Sequence, residues 1–180
     1  MRPILAGAAA LILTIILLPP PAVRPAPREE PQRSPADVAL LPGGRLALTA
    51  NHTADSVSLV DLSAGKLLSE MPCGRKPAAV ACSPDGRHAA VSNLWSDSLS
   101  LFDIDGTTLK PAGVLPIGIR PRGLAFAANG RLYVALAGDD AVVTVDWPSR
   151  KIAHRWPAPR EPRHLDLSPD GRWLAAASSR

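Results

Sequence analysis

The stretch Pro84-Asp85-Gly86-Arg87, running on through His88-Ala89-Ala90-Val91-Ser92-Asn93 to Ser98-Leu99-Ser100-Leu101-Phe102-Asp103, decides how this 180-residue chain folds, because it is repeated. The turn stands upstream as Pro42-Gly43-Gly44-Arg45 and downstream as Ala128-Asn129-Gly130-Arg131 and Pro169-Asp170-Gly171-Arg172, its last glycine recurring at spacings of 42, 44 and 41. The Ser-x-Ser run has counterparts in Ser56-Val57-Ser58-Leu59-Val60-Asp61 and Ala141-Val142-Val143-Thr144-Val145-Asp146, at steps of 42 and 43. A proline at 77, 121 and 162, preceded by Lys76, Arg120 and Glu161, keeps the same period. Three independent marks at one period define a repeat architecture.

Inside each repeat the apolar residues alternate with period two, the signature of half-buried strands. Val38 and Leu40 align with Val80 and Cys82, Leu124 and Phe126, and Leu165 and Leu167 as a first strand. After the glycine turn, which suits a residue of positive φ, comes a second strand such as 46–50 or 132–135, with His88 placed beside Leu46, Leu132 and Trp173. The Ser-Val-Ser-Leu-Val-Asp run is the third strand. A polar turn then leads to a fourth, at 66–73, 109–117 and 151–157. Four short antiparallel strands per roughly 42 residues make the blade of an all-β propeller.

These residues also carry a resemblance. The repeat resembles the YVTN-type, WD-repeat-like β-propeller family in its Pro-Asp-Gly turn, in the strand ends Leu48-Thr49-Ala50-Asn51 and Ala90-Val91-Ser92-Asn93, in the Ser-Val-Ser-Leu-Val-Asp strand, and in the connections Gly74-Arg75-Lys76-Pro77 and Gly118-Ile119-Arg120-Pro121. Tyr133-Val134-Ala135-Leu136 departs from the pattern at Leu136, and Pro159-Arg160-Glu161-Pro162 departs at Pro159. The resemblance covers 37–180 and implies a propeller of about seven blades. Its members include cell-surface proteins, lactonase-like enzymes and haem-bearing reductases, so it implies a fold more than a function.

Composition bounds the rest. Apolar residues are 46% and charged residues 20% of the chain, enough for a core, while aromatics are only 4% and 20 prolines punctuate short elements. Net charge is +4, half of it in residues 1–33, which leaves too mild a surplus for a nucleic-acid partner. Arg2 followed by the uncharged apolar run Ile4 to Leu18 and by Pro19-Pro20-Pro21 reads as an N-terminal hydrophobic helix. Its reach of roughly 22 Å falls short of the roughly 30 Å hydrocarbon layer. Residues 1–22 are therefore expected to be a signal peptide, with an uncleaved membrane anchor as the alternative, and the protein to be exported to the periplasm, the cell surface or the medium. Residues 23–36, rich in proline, form an extended linker. Residues 37–180 form a partial propeller of about 3.4 repeats, with blades at 37–77, 78–121 and 122–162 and an incomplete one at 163–180. Such an arc exposes the apolar faces of its end blades, so the sequence is expected to be a fragment of a larger propeller.

The connections between blades and those between second and third strands share one face of a propeller. They gather Asn51, His52, Arg75, Lys76, Asn93, Trp95, Arg120, Arg122, Arg160, Arg163 and His164 as candidate binding residues, with arginines prominent on the inner connections. Arginine forks suit carboxylate and phosphate, so the expected partner is a small anionic ligand, a surface polymer or an acidic protein segment. No Cys-x-x-Cys-His, Gly-x-Ser-x-Gly elbow, Walker-type loop or His-Glu-x-x-His occurs in the chain, and its four histidines show no metal-ligand spacing. No cofactor or metal is expected. Cys73, at an outer strand, and Cys82, on the innermost strand of the next blade, are too far apart to bond and are expected to be free thiols. The leading function is a non-catalytic binding scaffold. The alternatives are a lactonase-like hydrolase and the propeller part of a haem-dependent electron-transfer protein.

Overall fold

A computed structural model describes residues 32–178. The leader helix, the signal or anchor segment and most of the proline-rich linker lie outside the described residues. Fourteen strands follow in chain order: β1 (Pro35–Leu40), β2 (Leu46–Asn51), β3 (Ser56–Asp61), β4 (Lys66–Pro72), β5 (Pro77–Cys82), β6 (His88–Asn93), β7 (Ser98–Asp105), β8 (Thr108–Pro116), β9 (Pro121–Phe126), β10 (Arg131–Leu136), β11 (Ala141–Asp146), β12 (Lys151–Pro157), β13 (Pro162–Leu167) and β14 (Leu174–Ser178). They form three four-stranded antiparallel meanders, β1 to β4, β5 to β8 and β9 to β12, and one two-stranded sheet, β13 and β14. These are three propeller blades and the inner half of a fourth. The innermost strands β1, β5, β9 and β13 lie side by side along the axis.

Strand alternation gives each blade two apolar faces, and successive blades bury one against the other. Leu48, Ala50, Val57 and Leu59 of the first blade meet Val80, Ala89, Val91 and Phe102 of the second. The reverse side of the second blade, with Ala90, Leu99 and Leu101, meets Leu132, Val134, Leu136, Val143 and Val145 of the third. With few aromatics available, these interfaces are built from small aliphatic side chains, each fully buried one contributing about 1.5–3 kcal/mol. The outer ends of the arc show the same surfaces uncovered: Val38 and Leu40 are 61% and 60% exposed on the first blade, and Trp173 is 72% exposed on the fourth.

Strand pairing corrects one alignment drawn from the glycine turns. Leu40 pairs with Ala47, Cys82 with Ala89 and Leu167 with Leu174, each seven residues on, but Phe126 pairs with Leu132, six on. The third blade's first turn is one residue shorter. His88 is therefore equivalent to Leu46 and Arg131, opposite Asp103, Asp61 and Asp146 respectively, and not to Leu132.

A buried polar cluster knits strands two and three in the first two blades. The Asn51 amide nitrogen donates to Ser56 Oγ at 3.0 Å and Ser58 Oγ at 2.8 Å. Asn93 does the same to Ser98 and Ser100 at 3.2 and 3.0 Å. Asn51 Oδ1 accepts from Thr49 Oγ1, whereas Val91 occupies that position in the second blade and Asn93 Oδ1 is buried without a partner among the described residues. In the third blade all three polar positions change together, to Leu136, Ala141 and Val143, and the cluster becomes apolar. The preceding connection must leave room either way: a Cβ on Gly74 would come within 2.6 Å of the Asn93 side chain, and one on Gly118 within 2.7 Å of Leu136.

A second repeated device ties each blade to the next. Asp55, Asp97 and Asp140, in the turns between second and third strands, adopt left-handed φ values of 50°, 51° and 47°. Their carboxylates accept from the backbone N–H of Lys76, Arg120 and Glu161 at 2.7, 2.8 and 2.9 Å. Aspartate tolerates this backbone region better than most residues and supplies the acceptor as well.

Cys73 and Cys82 are both free. Burial, with Asp55 adding repulsion, pushes the Cys73 thiol up to about 12, and Cys82 Sγ donates to the Leu40 carbonyl of the neighbouring inner strand.

Two substitutions test these devices by urea unfolding. Asn93→Leu alone is expected to cost about 1–3 kcal/mol by taking the amide donor from two buried hydroxyls, of which Ser100 Oγ keeps only the Gly74 N–H, and adding Ser98→Ala and Ser100→Val, which copies the third blade, to restore part of it. Asp97→Ala is expected to cost about 1–3 kcal/mol through the lost acceptor and a strained left-handed alanine, while Asp97→Asn, which keeps both features, stays within about 0.5 kcal/mol of the parent.

Candidate functional site: a basic mouth at the channel

Every innermost strand begins at a proline and immediately breaks register. Pairing skips from Pro35 to Asp37 and from Pro77 to Ala79. It skips likewise from Pro121 to Leu124 and from Pro162 to His164. A bulge of this kind leaves a residue outside the ladder and re-aims its side chain. The residues within the four bulges are Ala36, Ala78, Arg122 with Gly123, and Arg163. Two alanines and two arginines thus occupy one structural position around the channel, and Ala36, Ala78, Arg122 and Arg163 line a common hollow of about 280 Å³ together with Asp37 and His164.

Arg163 also borders a cleft of about 570 Å³ between the third and fourth blades, lined by Arg120, Asp140, Arg160 and Glu161. The two hollows therefore share a wall. Glu161 is the local counterion: its carboxylate lies 3.4 Å from the Arg120 guanidinium and 3.0 Å from that of Arg163. Asp140 is engaged by the Glu161 N–H, and the nearby Asp139 pairs with Arg155 at 3.3 Å and accepts from the Ile119 N–H. The balance stays positive. Burial, followed by the charges of Arg163 and Arg120, lowers the Arg122 pKa from its ordinary value. Arg163 Nε is buried with no hydrogen-bond partner among the described residues. Arginines crowded in this way keep part of their donor capacity unspent, and guanidinium forks match carboxylate and phosphate in geometry. Among the described residues no three His, Cys, Asp or Glu side chains converge as a metal site.

The structure brings together five of the sequence candidates, Arg120, Arg122, Arg160, Arg163 and His164, and places the others elsewhere. Arg75, Lys76 and Trp95 form a separate patch between the first and second blades. There the Trp95 indole, 59% exposed, carries the Arg75 guanidinium and the Lys76 ammonium, each 5.7 Å from the ring centroid. His52 Nδ1–H donates to the Pro77 carbonyl at 3.0 Å, tying the first blade to the start of the second. Asn51 and Asn93 are fully buried and spent on serine hydroxyls, so they present nothing to a ligand. Sequence reasoning missed Asp37 on the channel wall and Glu161 as counterion. It also missed the bulge, although the odd offset of three residues from Pro77 to Val80 and from Pro121 to Leu124 signals one against a period of two.

Comparison with known proteins agrees with this architecture. The family model described as Lactonase, 7-bladed beta-propeller, matches residues 67–149. No curated protein matches the chain. Among solved structures, Kuenenia stuttgartiensis hydrazine synthase is similar with a TM-score of 0.76 and 28% identity, over 82% of this chain and 42% of its own. A presumptive 6-phosphogluconolactonase from Bacteroides uniformis is similar with a TM-score of 0.68 and 17% identity, over 80% of this chain and 47% of its own. The β-propeller domain of Myceliophthora thermophila Cps50 (Swd1) gives 0.69 and 20%, over 80% and 49%. The chain spans less than half the length of each of these structures. Blade topology, the family match and these likenesses together make the described residues three and a half blades of a β-propeller.

Proposed function

We propose that this chain is part of an exported, YVTN-type propeller that acts as a binding module, with its basic channel mouth receiving a small ligand bearing carboxylate or phosphate. One observation carries the reading: a repeated bulge that holds alanine in two blades holds Arg122 and Arg163 in the next two, beside Arg120 and Arg160, with Glu161 pairing Arg120 and Arg163. Arg160 makes no ion pair among the described residues, and Arg163 Nε makes no hydrogen bond. An anion entering the mouth relieves the mutual repulsion of the arginines and takes up these donors, so ligand and site stabilise each other. Export rests on the leader sequence; no helix among the described residues is long and apolar enough to cross a membrane.

A second reading is favoured by the lactonase family match and by the presumptive 6-phosphogluconolactonases among the similar structures. In it the same mouth holds the phosphate of a sugar lactone, and groups completing the propeller supply hydrolysis.

Calorimetry with 6-phosphogluconate, and a hydrolysis assay with its lactone, separate the two readings. Saturable binding is expected, weakening with salt and falling at least about tenfold in the Arg120→Ala, Arg122→Ala, Arg163→Ala triple variant, as lost charge-assisted hydrogen bonds require. Unchanged affinity in the triple variant overturns the basic mouth. Turnover of the lactone that is lost in that variant decides for the second reading.

A further inference from the structure

The opposite face of the propeller, where first strands turn into second strands, carries a feature unlike the mouth. The repeat gives each blade an equivalent residue at every position, so departures from the aliphatic norm stand out. At the end of the third strand the blades carry Leu62, Ile104 and Trp147; at the end of the first strand, Leu40, Cys82 and Phe126; at the start of the second, Leu46, His88 and Arg131. In a chain that is only 4% aromatic, two of the ring-bearing departures fall on the third blade and one on the second, and all three meet between those blades. The Trp147 ring lies 5.1 Å from that of His88 and 5.2 Å, edge to face, from that of Phe126.

These rings border a pocket of about 450 Å³ that also includes Asp85, Asn129 and Pro148. This size, with aromatic walls and a few polar groups, is that of a small-molecule site. His88 is held in place: its Nδ1–H donates to the Asp103 carboxylate at 3.0 Å, so in the neutral ring Nε2 is the acceptor. Asp85, held by the Ser83 hydroxyl and the Arg87 N–H, is the acidic residue of the lining, and no Lys or Arg lines the pocket.

We propose that this pocket is a second binding site, for a small flat aromatic molecule bearing a protonated amine. The ligand's ring packs on Trp147 and Phe126, and its ammonium faces the Asp85 carboxylate and the His88 Nε2 lone pair. Aromatic faces and an anionic rim both favour a cation and disfavour an acid of the same shape. The site thus has the opposite charge preference from the basic mouth and does not depend on it.

The test uses 2-phenylethylamine and phenylacetate, which share a ring and differ in charge, with the indole N–H signals of the four tryptophans as reporters. The amine is expected to shift the Trp147 signal saturably and to bind at least about tenfold more tightly than the acid. The repeat itself supplies the substitutions: Trp147→Ile and His88→Leu copy Ile104 and Leu46, and Asp85→Asn copies Asn129, although Trp147, 8% exposed, also packs in the core. By calorimetry, Trp147→Ile is expected to abolish amine binding, and Asp85→Asn to remove most of the preference for amine over acid. Equal binding of the two compounds, a shift at another tryptophan, or undiminished amine affinity in Trp147→Ile overturns the proposal. If Trp147→Ile fails to fold by circular dichroism, the Asp85→Asn comparison decides alone.

Discussion

Each blade has two apolar faces, and a blade can hide only one of them by itself packing on a single neighbour. Everything else in the molecule follows from that. Leu59 and Leu101 occupy the same position in successive blades, and each is buried only because another sheet lies across it. Stability is therefore shared between neighbours, as in other stacked repeats. The polar devices refine the stacking rather than drive it. Asp55, Asp97 and Asp140 fix how far each connection travels before the next proline. The asparagine clusters set the width of the gap that Gly74 must leave open.

Much of this was legible in the sequence because a propeller writes its topology as a period. The Ser-x-Ser-x-x-Asp run and the prolines located every blade, and the fourth strands at 66–73, 109–117 and 151–157 fall within a residue of those observed. What escaped were events that change the phase without changing the period. The short turn before Arg131 put that residue, rather than Leu132, in register with His88 and Leu46. The bulge after each proline hid the aim of Arg122 and Arg163, since alternation alone assigns them no direction. Asn51 and Asn93 were placed on the binding face because they end strands there; pairing with buried hydroxyls turns them inward. Hydrogen bonds between positions several residues apart leave little trace in hydropathy.

Repetition also offers a way to separate function from folding within one chain. Where three blades agree, as in the aspartates of the second turn, the residue serves the stacking. Where one blade departs and the departure is compensated locally, as in Leu136 with Ala141 and Val143, the residue serves packing too. Arg122 and Arg163 depart together at one hollow, whereas Trp147 and Phe126, with His88 beside them, belong to the core between the second and third blades and also border a second hollow. The two groups lie at opposite ends of the strands, one basic and one aromatic with an acidic rim, so a single scaffold carries two chemically distinct surfaces.

The claim that blades are stable in proportion to how many neighbours cover them is tested most directly by native-state hydrogen exchange. The second blade, packed on both sides, is expected to hold the slowest amides, in β6 and β7; β2, β3, β10 and β11 should follow, and β13 and β14 exchange fastest. Uniform protection across the four sheets, or slowest exchange in β13 and β14, would contradict the account.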